Sequence, residues 1–240
     1  MKHYTHLIFD ADHTLLDYVA DELAAFRVVY NQIGLPISDE LLHFSRHASE
    51  AEWTKAGLYD VYKPVIQAAY HRLYRTHVTG IFERVFEKFS VHADAEKAGK
   101  AFLAALCAPA HLYEGVEALL RELSKNSGGR YEIIIATNGV CDIQNGRLTP
   151  IKPYISQLVV SEEVGEIKPT LAFFDALLKK TGAKKETSLM IGDSLASDVA
   201  GALRAGIDVC WYNPQGKNNE TDWKPNFEIS SLQDLQKYLL

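Results

Sequence analysis

Five short, continuous runs of apolar residues constrain the fold of this chain more than any other feature. Runs without polar alternation are typical of strands that are buried on both faces of a parallel sheet. They are HLIFD (6–10), YEIIIAT (131–137), QLVVS (157–161), SLMIGD (188–193) and IDVCWY (207–212). Helical patterns at 115–125, 168–182 and 197–206 alternate with the later runs. Because strand–helix–strand alternation produces a parallel sheet covered on both faces, the sequence predicts an α/β, Rossmann-like core.

Residues 17–108 interrupt this alternation. They contain no strand-like run and show the spacing of successive amphipathic helices: VADELAAFRVVYNQIG, SDELLHFSRHASEAEWTKAG, VYKPVIQAAYHRLYRTHV, and IFERVFEKFS with AEKAGKAFLAALC. We therefore predict a core formed by 1–16 and 109–240, with an all-helical cap domain, 17–108, inserted into it. Since ligands bind beyond the carboxyl ends of parallel strands, an insertion directly after the first strand is a candidate lid.

Composition argues against several classes of protein and of partner. Acidic residues outnumber basic ones by 31 to 25, so the net charge of −6 argues against a nucleic acid polymer as partner. The widely spaced Cys107, Cys141 and Cys210 form no CxxC pair, so neither a zinc knuckle nor a disulfide framework is indicated. We see no signal peptide and no apolar run of the roughly 20 residues that a membrane helix needs. These features predict a cytoplasmic protein, and the sequence leaves the choice between a monomer and a small homo-oligomer open.

Polar residues follow the predicted strands where those strands end. In LIFDADHTLLDY, three apolar residues lead directly into two acids. The residues at these ends are Asp10 and Asp12, Thr137 and Asn138, Lys168, and Asp193 and Asp198. Because the carboxyl ends of parallel strands lie along one edge of a sheet, we expect these side chains to share one site.

This mixture of side chains fits phosphoryl transfer. Clustered carboxylates repel one another, and their oxygens suit Mg²⁺ together with a phosphate. One carboxylate can attack phosphorus and form an acyl phosphate, while a second acid protonates the leaving oxygen. Thr137 and Asn138 are suited to hydrogen-bond the phosphoryl oxygens, and Lys168 to neutralise charge beside them. The alternative is that these residues are turn acids, helix caps and a solvated lysine.

Four ordered motifs give the sequence a family resemblance. DADHT, IIIATNG, IKP and GDSLASD resemble the motifs of the haloacid dehalogenase (HAD) superfamily, and the helical insertion is similar to its C1-type cap. The resemblance implies that Asp10 is the catalytic nucleophile and that Asp12 is the general acid and base. It also implies phosphate-binding roles for Thr137, Asn138 and Lys168.

The same resemblance implies a bound Mg²⁺. Its ligands would be Asp10, the backbone carbonyl of Asp12, and Asp193, with Asp198 as a supporting acid. Because the dehalogenases of the superfamily lack the second acid of the first motif, Asp12 favours phosphoryl transfer over dehalogenation.

A closer resemblance concerns the substrate. FDADHTL, ATNG, SEEVGEIKP, MIGDSLASDVAG and VCWYN are similar to segments of the YjjG-type pyrimidine 5′-nucleotidases. This resemblance implies a phosphatase of nucleoside 5′-monophosphates that prefers pyrimidine or deoxynucleotide substrates. In the cap, Trp53 and Tyr59 are candidates for stacking on a base, and ordinary packing within the cap is the favoured alternative.

Two other functions stay open at this point. A related HAD phosphatase would act on phosphoglycolate or a sugar phosphate, or the chain would be a phosphosugar mutase. A more distant alternative is a non-catalytic binding module. The complete set Asp10, Asp12, Thr137, Lys168 and Asp193 argues against the latter, since loss of catalysis usually removes one of these residues.

Overall fold

The computed structural model describes residues 3–239 of the chain. Within this range six strands form one sheet in the spatial order β3-β2-β1-β4-β5-β6, and each neighbouring pair is parallel. They are β1 His6–Phe9, β2 Glu132–Thr137, β3 Gln157–Val160, β4 Ser188–Gly192, β5 Asp208–Tyr212 and β6 Phe227–Ile229. The first five confirm the predicted strands. Strand β6 has no counterpart in the prediction, because three residues with an exposed glutamate in the middle give no apolar run.

Four helices form between β1 and the rest of the sheet: α1 Tyr18–Gln32, α2 Asp39–Lys55, α3 Pro64–Lys88 and α4 Ala95–Leu106. Capping residues fix where two of them begin. The hydroxyl of Ser38 accepts a 3.1 Å hydrogen bond from the Leu41 amide at the start of α2. The carboxylate of Asp94 accepts one of 3.0 Å from the Lys97 amide at the start of α4. Both caps satisfy amides that the first turn of a helix leaves unpaired.

Helix α3 differs from its prediction. The sequence pattern placed separate helices at 61–78 and 81–90, whereas the structure has a single helix of 25 residues. Gly80 serves packing rather than a break, because a Cβ there would lie 2.3 Å from Glu52 Oε2. The buried Glu52 side chain of α2 is in turn ion-paired with Arg84 at 2.5 Å. No helix among residues 3–239 is both long and apolar enough to cross a membrane.

The remaining helices accompany the strands: α5 Val116–Leu123, α6 Cys141–Arg147, α7 Ser161–Val164, α8 Leu171–Thr181, α9 Ala200–Ala205 and α10 Gln236–Leu239. Phe173 and Phe174 of α8 belong to a buried cluster with Ile8 of β1 and Met190 of β4. This packing covers one face of the central strands. A π-helical turn, Leu195–Val199, lies between β4 and α9.

The described chain forms two compact units. The first combines the segment that ends at Asp17 with Leu112–Asn138 and the segment that starts at Leu148, and it contains the whole sheet. The second combines Tyr18–His111 with Gly139–Arg147. Residues 139–147, which the prediction assigned to the core, therefore group with the helices. The roles of catalytic core and cap stay predictions.

Helix α6 is tied to the helical unit by close packing and by a buried arginine. A Cβ at Gly146 would lie 1.9 Å from the carbonyl oxygen of Cys107, so only glycine allows this approach. The Arg147 side chain is fully buried, with Nη2 2.8 Å from Asp21 Oδ2. The other oxygen of Asp21 accepts a 2.8 Å hydrogen bond from the His111 amide. Side-chain contacts between residues so far apart in the chain explain why the segment groups as it does.

Candidate active site

Lys168 lies at the centre of the polar residues that the sequence singles out. Its side chain is 1% exposed, and Nζ lies 2.5 Å from Asp10 Oδ1 and 2.8 Å from Asp198 Oδ1. Nζ also donates a 2.7 Å hydrogen bond to the carbonyl oxygen of Ala136. Since a lysine ammonium has three N–H donors, all three are engaged. Lys168 thus fixes one carboxylate oxygen of Asp10.

The end of β1 positions the carboxylate of Asp10 beside Lys168, and the π-helical turn positions that of Asp198. Asp10 follows β1 directly, and its amide donates a 2.9 Å hydrogen bond to the Ile191 carbonyl of β4. Asp198 lies in the π-helical turn, where its Oδ2 accepts a 3.1 Å hydrogen bond from the Ser194 amide. A Cβ at Gly192 would lie 2.3 Å from the same oxygen. The glycine of the GD motif therefore gives Asp198 the space to reach Lys168.

Asp193 is held through both its side chain and its main chain. Thr14 Oγ1, fully buried, donates to Asp193 Oδ1 at 3.4 Å. Trp211 Nε1 donates a 2.9 Å hydrogen bond to the carbonyl oxygen of Asp193. Because Trp211 of β5 lies in register with Gly192 of β4, its indole reaches the residue that follows Gly192.

Three carboxylates form an acidic cluster. Oxygen atoms of Asp10, Asp193 and Asp198 lie within 4.8 Å of one another. Burial, followed by the charge of Asp198, raises the pKa of Asp193 to about 7. Burial also raises the pKa of Asp10 well above its ordinary value, although Lys168 opposes the shift. Burial acts to lower the pKa of Lys168, but the charges of Asp10 and Asp198 outweigh it and raise that pKa.

This cluster fits a hard divalent cation. Two buried carboxylates, Asp10 and Asp198, contact a single lysine, and the partly buried carboxylate of Asp193 lies beside them, so the site is short of positive charge. Its donors are all oxygens, which Mg²⁺ prefers and which soft metals do not. The donor chemistry therefore agrees with the predicted magnesium site.

Thr137 and Asn138 directly follow Ala136, the residue of β2 whose carbonyl oxygen accepts a hydrogen bond from Lys168. Thr137 is the last residue of β2 and is 1% exposed. The side-chain amide of Asn138 faces the main chain of Lys168. Its Nδ2 donates to the Lys168 carbonyl at 2.9 Å, and its Oδ1 accepts from the Lys168 amide at 2.8 Å.

Asp12 lies in the turn after β1. It is partly buried and forms a short parallel bridge with Leu16. Burial raises the pKa of Tyr113 to about 12, and the nearby negative charges, including those of Asp193 and Asp12, add to the shift. All predicted catalytic, phosphate-binding and metal-binding residues thus belong to the first compact unit.

The two residues predicted to select the substrate lie together in the second unit. The ring centroids of Trp53 and Tyr59 are 6.2 Å apart in an edge-to-face arrangement. Trp53 also meets Tyr74 and His77 edge to face, at 5.8 and 5.1 Å. Tyr59 is 61% exposed. Packing explains Trp53 well, and a role in base recognition stays a prediction for both residues.

A comparison with protein families identifies the chain. The model of the haloacid dehalogenase-like hydrolases matches residues 4–206, which include all four motifs. This chain belongs to the haloacid dehalogenase-like hydrolase family. The family assignment confirms the HAD resemblance that the ordered motifs predicted.

Individual relatives of the hydrolase cover most of its length. It is 32% identical over 235 residues to the pyrimidine 5′-nucleotidase PynA of Streptococcus pneumoniae, and the aligned region covers 97% of this chain and 93% of PynA. It is 33% identical over 163 residues to the pyrimidine 5′-nucleotidase YjjG of Escherichia coli, spanning 67% and 70%. The magnesium-bound crystal structure of the HAD-hydrolase YfnB from Bacillus subtilis has a TM-score of 0.82, 27% identity and 99% coverage of both chains. These similarities confirm the predicted α/β, Rossmann-like fold.

Sequence reasoning missed three contacts of the hydrolase site. Thr14 and Trp211 were not named as site residues, although both hold Asp193. Thr14 is the last residue of the DADHT motif, and Trp211 lies in β5 within the segment VCWYN. Their positions in these two segments are the sequence signal that could have identified them. The contact of Asn138 with the Lys168 main chain had no sequence signal, because 30 residues separate them.

Proposed function

We propose that this hydrolase is a Mg²⁺-dependent phosphatase of nucleoside 5′-monophosphates with a preference for pyrimidine or deoxynucleotide substrates. The observation that carries the proposal is the buried 2.5 Å contact of Lys168 with Asp10 inside an acidic cluster. Such a contact holds a carboxylate in one orientation, which is what a nucleophile needs. The similarity to PynA and YjjG supports the substrate class.

In the first step, Asp10 attacks the phosphorus of the monoester. A bond forms between a carboxylate oxygen of Asp10 and phosphorus, and the ester P–O bond breaks. Asp12 gives its proton to the leaving nucleoside oxygen. Lys168 keeps Asp10 Oδ1 fixed, so the second oxygen is the attacking atom. The products of this step are the nucleoside and an aspartyl phosphate.

In the second step, water attacks the phosphorus of the aspartyl phosphate. Asp12, now a carboxylate, takes a proton from that water, and the bond between phosphorus and Asp10 breaks. Inorganic phosphate leaves, and both acids return to their initial states. Thr137, at the end of β2, donates its hydroxyl to the phosphoryl oxygens during both steps.

The acidic cluster is the proposed site of the cation. Asp10, Asp193 and the main-chain carbonyl of Asp12 would hold it, with Asp198 supporting them through Lys168. A bound Mg²⁺ would offset the repulsion between the carboxylates and the charge of the phosphoryl group. The magnesium in the structure of YfnB supports this choice of metal.

Phosphate release from a panel of monoesters tests the proposal. The panel contains UMP, dUMP, dTMP, their purine counterparts, phosphoglycolate and a hexose phosphate, each with MgCl₂. We expect the highest kcat/KM for a pyrimidine nucleoside monophosphate. A preference for phosphoglycolate or a sugar phosphate would keep the chemistry and overturn the substrate class. No release from any monoester would overturn the phosphatase assignment and favour a binding module.

A further inference from the structure

The side chain of Asn138 makes a two-point contact with a single residue. Its Nδ2 donates to the carbonyl of Lys168, and its Oδ1 accepts from the amide of Lys168, at 2.9 and 2.8 Å. The carbonyl and the amide of one residue lie on either side of its Cα. Two hydrogen bonds from one planar amide group therefore fix both the position and the orientation of the Lys168 main chain.

The Lys168 main chain in turn sets the point from which the side chain reaches the carboxylates. From this backbone the side chain reaches a fully enclosed position, where Nζ contacts Asp10, Asp198 and the Ala136 carbonyl. The Ala136 carbonyl belongs to β2, and Asn138 follows the end of the same strand. The end of β2 therefore holds Lys168 at two places, through the amide of Asn138 at its main chain and through Ala136 at its side chain.

We propose that Asn138 is a positioning residue that acts on the reaction through Lys168, rather than a direct ligand of the phosphate. Its amide oxygen and one amide hydrogen are engaged with Lys168 in this arrangement. We call these two hydrogen bonds between Asn138 and the Lys168 main chain the clamp. Without the clamp the Lys168 main chain is no longer fixed, and the orientation of Asp10 becomes less defined as a result. This inference rests on the proposed phosphatase function and assigns Asn138 a different part in it from the one that the motif implied.

Kinetics of the Asn138→Ala variant separate the two roles. With p-nitrophenyl phosphate and MgCl₂, we expect kcat to fall about 10- to 100-fold, the effect of two lost hydrogen bonds. The inhibition constant of inorganic phosphate should stay within about threefold, because a residue that does not touch the phosphate contributes little to its binding. A direct ligand would instead weaken phosphate binding in parallel with kcat, and that result would overturn the proposal.

A double-mutant cycle with Lys168→Met adds a second criterion. If Asn138 acts through Lys168, the Asn138→Ala change should alter kcat by less than about twofold in the Lys168→Met background. If the double variant instead lost kcat by the product of the two single-variant factors, the residues would act independently, and the proposal would be overturned. Where the Lys168→Met variant folds too poorly for kinetics, the phosphate inhibition constant of Asn138→Ala alone decides.

Amide hydrogen exchange tests the clamp without any activity. In Asn138→Ala, exchange at the Lys168 amide should accelerate about tenfold or more, because its acceptor is gone. Asn213 provides a matched control, since its side chain makes an equivalent pair of hydrogen bonds, both of 2.9 Å, to the main chain of Lys217, besides one to Glu228. In Asn213→Ala the Lys217 amide should accelerate and the Lys168 amide should not.

The combined outcomes separate this inference from the proposed function. A wild-type enzyme that hydrolyses no monoester would refute the phosphatase function, whereas the exchange measurement would still report on the clamp. An active wild type with an equally active Asn138→Ala variant would refute the positioning role alone. Unchanged exchange at Lys168 in that variant would refute the clamp itself.

Discussion

Replacement of Lys168 by methionine tests the electrostatics of the site through stability. Methionine nearly preserves the length of the side chain but removes the ammonium that contacts Asp10, Asp198 and the Ala136 carbonyl. Removal of one partner from a buried ion pair typically costs about 3–5 kcal/mol, because the remaining charge is buried without compensation. Here two carboxylates lose their partner, so we expect the free energy of unfolding to fall by at least that amount. Against a typical total of about 5–15 kcal/mol, a loss of this size removes a large part of the stability and is readily measured.

Urea unfolding followed by circular dichroism measures this loss. Lys180→Met is the matched control, since Lys180 forms a 2.6 Å ion pair with Glu163 at the surface of the same unit. An exposed pair contributes about 0–1 kcal/mol, so the control should change little. Excess MgCl₂ should restore part of the stability of Lys168→Met, by about 2.7 kcal/mol at a hundredfold excess over Kd. A loss below about 1 kcal/mol in Lys168→Met, equal to that of the control, would refute the reasoning.

Four further changes have defined outcomes. Trp211→Phe removes the hydrogen bond to the Asp193 carbonyl and should weaken Mg²⁺ binding about 10- to 100-fold by calorimetry; an unchanged Kd would show that the indole does not position Asp193. Gly192→Ala forces Asp198 off Lys168 and should lower the free energy of unfolding by about 1–3 kcal/mol, with equal denaturation midpoints as the contrary result. EDTA should stop phosphate release, and MgCl₂ should restore it; a rate that persists without metal would contradict the metal site. Burial lowers the pKa of His77, so the stability contributed by the neutral imidazole is present above about pH 6.5 and is lost as the pH falls further. The free energy of unfolding of His77→Gln should therefore decrease less between about pH 7 and pH 5 than that of the wild type. Equal decreases in the two proteins would contradict this.

The fold was largely predictable because buried parallel strands leave a strong local signal. Ile133, Ile134 and Ile135 are an unbroken apolar run, and they form the middle of β2. Gly80 shows where local signals fail. A glycine inside a helical pattern indicates a break when only sequence is considered, yet here it makes room for Glu52 from another helix. The information that decides this position lies 28 residues away in the chain.

The sequence predicted that Asp10, Lys168, Asp193 and Asp198 lie close together, but not the contacts that join them, and the catalytic roles of these residues stay predictions. Asp10, Lys168 and Asp198 belong to separate motifs, and the parallel topology alone suggested that they meet. The structure adds that Lys168 uses all its donors on its neighbours and that Asn138 faces the Lys168 main chain. Hydrogen bonds between side chains and distant backbone groups depend on tertiary packing, so no local sequence pattern predicts them.

Acid quench during turnover, followed by mass spectrometry of the peptides, tests the central claim most directly. The wild-type enzyme is mixed with a pyrimidine nucleoside monophosphate and MgCl₂. In parallel, Asp12→Asn is mixed with p-nitrophenyl phosphate, whose leaving group needs no general acid, so that only breakdown of the intermediate is slowed. The account predicts one phosphoryl group on the peptide that contains Asp10, and none in Asp10→Asn, which should also lose turnover. Phosphorylation of another residue, or sustained turnover by Asp10→Asn, would contradict it.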